Sequence, residues 1–317
     1  MKIKKEFIFL FVAIAALSVY LIQRETDRSH YQLPQFTGMA VSDITRIEIT
    51  KSDLSIVLEK TDDTWRISPQ GYPADKPKVE SMLKNVQDLT LTAMVSESKN
   101  YIRYGLIDEE KINIKIFKGD ALIMEFEVGK QAGTSRHTFI RPAGDHRVYH
   151  ARGNLKSIYD HTTESLRDRS VLAFDKNEIS KIEIAEGNKK ISLTLKKEID
   201  AENQSPEITK KVWVSGSGKK PDEKQISILL GALSKLRCVK FINDRKKKDF
   251  VNNPIYEIRL TGNEEYVLSI FTKTGEETGV YPAVSSGSDY PFELSEGQTN
   301  NIIVKPEQIF RELSTSK

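Results

Sequence analysis

Four of the five histidines, His137, His146, His150 and His161, fall within 25 residues of one another. Imidazoles gathered in this way have the make-up of a metal site or of an acid–base centre. His146 and His150 are four residues apart in a stretch that reads as a strand. They would then share a face but sit about 13 Å apart, at roughly 3.3 Å per residue. That is too far to hold one ion unless a turn or bulge folds the segment. Helical metal pairs use the three- or four-residue spacing because it brings both rings together, usually with a carboxylate at motif distance. No such companion stands here. His146 and His150 are candidate ligands beside the plainer reading of exposed strand histidines, and no metal or cofactor is expected.

Other chemistry-bearing stretches read in the same two ways. Gly216-Ser217-Gly218-Lys219-Lys220 lacks the earlier Gly and the Ser or Thr after Lys that a phosphate loop needs, and reads as a turn. Arg245-Lys246-Lys247-Lys248 is a solvated loop or a patch for acidic partners or lipid head groups. There is no Gly-x-Ser-x-Gly nucleophile, and Asp62-Asp63 and Glu109-Glu110 sit in turns, where adjacency cannot show convergence in a cleft. Arg167, Asp168 and Arg169 suggest an ion-pair cluster between bodies, with an anion or partner site as the rival. Cys238 excludes an intrachain disulfide framework and a multi-cysteine zinc site; between Arg237 and Val239 it reads as a small apolar filler.

The elements that must carry these residues occur twice. Ile44–Ile49 (ITRIEI) is echoed by Ile179–Ile184 (ISKIEI). Each copy is followed by an alternating apolar run (Leu54, Ile56, Leu58; Ile191, Leu193, Leu195) and then by one of the chain's two tryptophans, Trp65 or Trp213. Next comes a helix pattern with apolar residues at offsets of 0, 3, 4, 7 and 10: Val79, Met82, Leu83, Val86, Leu89, then Ile226, Leu229, Leu230, Leu233, Leu236. Asp75 and Asp222 stand four residues before these stripes as N-caps. Alternating segments through Ile112–Ile116, Leu122–Val128, Phe139 and Val148-Tyr149 have counterparts through Ile255–Leu260, Val267–Phe271, Val280-Tyr281 and Tyr290–Leu294. Leu155–Tyr159 and Pro306–Phe310 read as short closing helices, and Glu198 to Thr209 as a polar insertion in the second hairpin. Such an order, repeated, implies internal duplication.

The expected fold class is α+β: two tandem related bodies, residues 41–175 and 176–317, each of antiparallel β meanders with one amphipathic helix on the sheet. The 317 residues suffice for two cores, and 38% hydrophobic with 29% charged residues is a globular composition. With 48 basic against 45 acidic residues the net charge is only +3, which gives no electrostatic reason to expect nucleic acid.

Lys2, Lys4 and Lys5 precede an apolar run from Phe7 to Ile22. As a helix it would be about 24 Å long against a bilayer core near 30 Å, with flanking lysines able to snorkel. A cleaved signal peptide would use Ala13-Ile14-Ala15 or Ala16-Leu17-Ser18, but the apolar run continues past both. A retained transmembrane anchor over residues 1–24 is expected, then a stalk over 25–40, with the lysines in the cytoplasm and the body outside the inner membrane.

The chain resembles the bacterial domain of unknown function four-three-four-zero. The resemblance rests on the Ile44–Ile49 strand, Trp65-Arg66-Ile67, Asp75 opening its helix, Tyr104-Gly105-Leu106, the strand through Val128-Gly129, Phe139-Ile140-Arg141, Val148-Tyr149 and Leu166-Arg167-Asp168-Arg169. It implies a membrane-anchored envelope protein beside an ABC-type export system of the gliding-motility auxiliary kind, and it carries over no catalytic residue. The expected role is non-enzymatic binding. The alternatives are an envelope hydrolase acting on polysaccharide or phosphoester, and a tethered solute-binding protein.

Overall fold

A computed structural model describes residues 5–23, 31–36, 40–133, 136–199, 209–218, 220–250, 253–273, 279–304 and 309–310, with the backbone element alone for 5–9, 21–23, 198–199 and 209–210. The chain is α+β with antiparallel sheets, and it divides into two compact units, Met1–Leu166 and Arg167–Lys317. Residues 167–175 therefore associate with the second unit.

The first unit opens with helix α1 (Lys5–Gln23). Its side chains are described for residues 10–20, where Leu10, Phe11, Val12, Ile14, Leu17, Val19 and Tyr20 are each more than half exposed. Among the described residues no helix is long and apolar enough to cross a membrane; the expected span Phe7 to Ile22 runs past this window at both ends. Within the expected stalk, residues 31–36 lie on the first unit. Leu33 and Phe36 pack against its core, and the Tyr31 hydroxyl accepts from the Met94 N–H at 2.9 Å. Residues 24–30 and 37–39 lie outside the described residues.

Then follow β1 (Arg46–Lys51), β2 (Leu54–Thr61), β3 (Thr64–Ser68), β4 (Tyr72–Pro73), α2 (Lys76–Asp88), β5 (Leu91–Ser96), β6 (Ile112–Lys118), β7 (Ala121–Gln131), β8 (His137–Pro142), β9 (Val148–Arg152), α3 (Leu155–Tyr159) and α4 (Thr163–Leu166). The described strands form one sheet in the order β4-β3-β2-β1-β6-β7-β8-β9-β5. Register puts Ile47 between Leu58 and Ile116, and Ile49 between Ile56 and Ile114, so one face is apolar because the strand period is two. The α2 stripe Val79, Met82, Leu83 and Val86 belongs to the same buried cluster. Asp75 caps α2 by accepting from the Lys78 N–H at 3.3 Å, with Pro77 in the first turn. The other face carries Glu48, Lys115, Glu125, Glu127 and Arg141, aligned across strands.

The second unit repeats this plan. β10 (Ser170–Ala173) precedes β11 (Lys181–Glu186), β12 (Lys189–Ile199), β13 (Thr209–Ser215), α5 (Glu223–Leu233), β14 (Lys235–Arg237), β15 (Lys240–Phe241), β16 (Tyr256–Thr261), β17 (Glu265–Ile270), β18 (Val280–Ser285), β19 (Phe292–Ser295) and α6 (Glu296–Ile302). Its main sheet runs β13-β12-β11-β16-β17-β18-β19-β15, and β10 pairs with β14. Strand for strand, this is the first unit's order, with no counterpart of β4 among the described residues. One residue differs at this point. Ala74 donates its N–H to the Trp65 carbonyl at 2.9 Å, which closes β4 onto β3. Ala74 and Pro221 each stand immediately before the capping aspartate of their copy, so Ala74 corresponds to Pro221, and proline has no N–H to give. Pro221 instead bridges to Phe310. The helix that closes this unit is α6, ahead of the expected Pro306–Phe310; residues 305–308 and most of the Glu198 to Thr209 insertion lie outside the described residues.

Candidate functional site

On the polar face of the first unit, the loop between β5 and β6 folds down over β7, β8 and β9. Its anchors Tyr104 and Leu106 bury against Val148, with Val95, Tyr101 and Phe139 alongside. Two glycines permit the close approach. Gly105 closes the 3-10 turn Tyr101–Tyr104 at φ 64, a left-handed conformation that favours glycine. Gly129 on β7 leaves room for the loop backbone: a Cβ there would lie 2.3 Å from the Tyr104 carbonyl oxygen.

The docked loop sets Tyr101 beneath Arg141, whose guanidinium carbon lies 4.3 Å from the Tyr101 ring centroid. Arg141 Nε donates to Glu127 at 2.6 Å, and Lys111 Nζ donates to the other Glu127 oxygen at 2.9 Å. Burial works against the Arg141 cation, but the charge and hydrogen bond of Glu127 raise its pKa above the ordinary value. The Tyr101 hydroxyl donates to the His146 carbonyl at 3.1 Å, tying the loop to the β8–β9 hairpin. In that hairpin Asp145 accepts from Arg147 Nε at 3.0 Å, from the Arg147 N–H at 2.9 Å and from the Tyr149 hydroxyl at 2.8 Å. Arg147 above all holds the Asp145 carboxyl down to about 2. Burial, with Asp145 beside it, pushes the Tyr149 phenol up to about 12.

Two clefts flank this hairpin. One, of about 550 Å³, is lined by Lys99, Tyr101, Glu125, Glu127, Arg141 and His146. The other, of about 650 Å³, is lined by Pro34, Glu97, Asp145 and Arg147. They share Pro142 to His146, so the hairpin is a rib between two halves of one open polar surface. In the second unit a smaller hollow of about 340 Å³ lies on the equivalent sheet face, at Glu183, Lys190, Ser192, Glu257 and Arg259.

The candidate ligands His146 and His150 are not brought together. His146 stands exposed on the hairpin, its Nδ1 4.0 Å from Asp145. His150, on β9, instead stacks with His137 at a centroid distance of 5.4 Å and lies 5.0 Å from Phe139, because register sets it opposite Phe139. Burial, then the His137 charge, lowers its pKa. His161 is apart, with Nδ1 3.3 Å from Ser165 Oγ. Among the described residues no group of three or more His, Cys, Asp or Glu side chains is placed to hold a metal ion.

Trp65 and Trp213 are half-buried, each against the core of its own unit. Asp222 caps α5 through the Lys224 N–H at 2.9 Å. Arg167 is buried at 2% exposure, its guanidinium 3.8 Å from the Phe241 ring centroid and 2.9 Å from Asn243 Oδ1. Asp168 pairs with Arg237 at 3.5 Å, and the Arg169 carbonyl accepts from the Cys238 N–H at 2.8 Å. Burial raises the Cys238 thiol to about 11. In the basic loop, Lys247 Nζ donates to the Ser288 carbonyl at 2.9 Å and Arg245 stacks on Phe250 at 4.0 Å.

Sequence reasoning missed Tyr101, Glu127, Arg141 and Asp145 as site residues. The available signal was strand alternation, which puts Glu127 and Arg141 on the polar face, and the turn Pro142-Ala143-Gly144-Asp145. The model of the family described as Domain of unknown function (DUF4340) matches residues 65–253. The chain belongs to this family. The stretch matched as DUF4340 runs from Trp65 on β3 to Asn253, before β16, and so crosses from the first unit into the second. It contains every residue of the β8–β9 hairpin and of the loop docked against it. Comparison with curated proteins and with solved structures returns no match.

Proposed function

We propose that this chain is a non-enzymatic binding module of the bacterial envelope, tethered to the inner membrane by its N-terminal helix and auxiliary to an ABC-type transport system. The polar surface around the β8–β9 hairpin is its contact site. The observation that carries the binding reading is the state of the carboxylates there. Asp145 is held near 2 by Arg147 and Tyr149, and Glu127 is engaged by both Arg141 and Lys111. A general acid or base works best with a pKa near the operating pH, so a carboxylate locked at about 2 shapes a surface and does not move protons. Fixed donors, a stacked Arg141–Tyr101 pair and exposed Lys99 and His146 suit recognition of a polar partner. The tether rests on the apolar α1 side chains exposed along residues 10–20, which water solvates poorly.

Photo-crosslinking from Lys99 and Ile102, on the exposed lip of the loop, in native membranes tests the site. Capture of a transporter subunit is expected, whereas capture of lipid or glycan alone would overturn the auxiliary role. Extraction by detergent but not by alkaline carbonate is expected for the tether. Release by carbonate would remove it.

A further inference from the structure

Among the described residues β13 ends its sheet, and the orientation of its outer hydrogen-bonding side follows from its neighbour. Leu195 on β12 donates its N–H to the Ser180 carbonyl at 2.8 Å, toward β11. Its groups therefore point away from β13, and the Leu195–Trp213 pair is one that exchanges no hydrogen bonds. The N–H and C=O of Trp213 consequently face the outside of the sheet, as do those of Lys211 and Ser215 two residues either way, the Ser215 carbonyl also accepting from the Gly218 N–H at 3.2 Å through its other lone pair. In the first unit the same side of β3 is covered: Trp65 accepts from Ala74, and Arg66 and Ile67 pair with Pro73 and Tyr72. In the second unit Pro221 removes that donor, and among the described residues no strand lies beyond β13.

We propose that this edge joins a second copy of the chain, β13 pairing antiparallel with β13 about a two-fold axis through Trp213. The sequence is self-complementary in that register. Trp213 meets Trp213 of the second copy and exchanges both backbone bonds with it. Val212 faces Val214 on the outer side of the sheet, and Lys211 faces Ser215. Lys210 comes opposite Gly216, so no lysine opposes a lysine. The lysines act on the alternatives. An antiparallel register centred on Lys211, whose backbone groups also face outward, would set that lysine against itself in the second copy, which is repulsive. A foreign extended strand could use the same bonds, but the pairing of Val with Val and Lys with Ser favours the self-pair.

The test uses the full chain in mild detergent. Sedimentation should show a concentration-dependent dimer. Lys211→Pro removes an outward N–H without touching the β12 ladder, a placement proline tolerates on an edge. It should weaken dimerisation by about tenfold or more, since both copies carry it, with the melting curve unchanged. As a gain-of-signal check, chains bearing Val212→Cys and chains bearing Val214→Cys are mixed and oxidised. Those positions face each other at a Cα separation of about 4.5 Å in a non-hydrogen-bonded pair, while like positions lie on the longer diagonal. A disulfide dimer from the mixture, and not from either variant alone, is the expected result. A chain that stays monomeric, a dimer indifferent to Lys211→Pro with no crosslink in the mixture, or a monomer that takes up an added extended peptide on β13 would each overturn the proposal.

Discussion

The backbone N–H of Asp75 donates to the carbonyl of Leu166 at 2.7 Å, so the residue that starts α2 holds the residue that ends the first unit. Asp222 makes the same bond, at the same 2.7 Å, to Ile309 near the end of the second. Each helix start therefore has two jobs: the side chain caps the helix and the backbone fastens the closing segment. A duplicated fold keeps such a bond because it needs only a backbone donor, whatever residues lie at the closing end.

Separating the two jobs gives the first prediction. Asp75→Ala leaves the bond to Leu166 intact and removes the acceptor for the Lys78 N–H. The expected cost is about 1 kcal/mol, as for other lost N-caps, felt in the first unit. Asp222→Ala should do the same to the second, where the side chain accepts from Lys224. Hydrogen exchange, read unit by unit, distinguishes them; equal loss of protection across both units for either variant would contradict the division at Leu166.

Gly129 should be the most sensitive position of the cleft, though it forms none of the lining. Gly129→Ala sets a methyl 2.3 Å from the Tyr104 carbonyl, on backbone that cannot swing aside. The loop from Glu97 to Lys111 should lift, freeing Tyr101 from Arg141 and from the hairpin. Limited proteolysis should cut within this loop at least about tenfold faster, matching an opening made easier by about 1.4 kcal/mol or more. Gly133→Ala, at ordinary backbone angles with nothing within 4 Å of the added methyl, serves as the control for handling and should not increase cutting within residues 97–111.

The Asp145 carboxyl should make the first unit acid-sensitive. Its folded pKa of about 2 lies below the ordinary carboxyl value of 3.8. The stabilisation is therefore complete above about pH 4 and is lost as pH falls toward 2. Allowing for solvent screening at a partly open site, it amounts to about 1–2 kcal/mol. Asp145→Asn should lower stability at pH 7 by that order and flatten the fall between pH 4 and pH 2. Denaturant midpoints measured across this window check it. An unchanged acid limb would mean that other carboxylates dominate.

What could be read from sequence was whatever has a period. Ile47 and Ile49, Leu58, and the stripes on α2 and α5 announce their faces through repeats of two and of about 3.6 residues, and the twin aspartates announce the caps. The cleft has no period. Arg141 meets Glu127 only because β7 and β8 pair in one register, and Tyr101 reaches them only because Gly105 and Gly129 let a loop settle on the sheet. The histidines show the same limit: spacing along the chain singled out His146 and His150, whereas pairing across strands stacks His150 on His137. That Pro221 cannot repeat the Ala74 bond was readable in the sequence, but only after the Trp65 carbonyl is seen to accept from Ala74.

Arg167 offers the sharpest test of the second unit, since a guanidinium at 2% exposure lies over an aromatic ring and donates to an amide. Its guanidinium carbon lies 3.8 Å from the Phe241 centroid while Nη1 donates to Asn243, and the Tyr290 ring centroid stands 5.0 Å away. Flat stacking and directed donation are properties of guanidinium that an ammonium does not share. Arg167→Lys should therefore destabilise the second unit by about 2 kcal/mol or more, the cost of a desolvated cation losing its stack and its directed bond. Arg167→Met, which fills the space without burying charge, should cost less than the lysine. Thermal or chemical unfolding of the two variants decides the order, and a lysine variant as stable as wild type would show that charge alone, and not the planar fit, holds this residue in place.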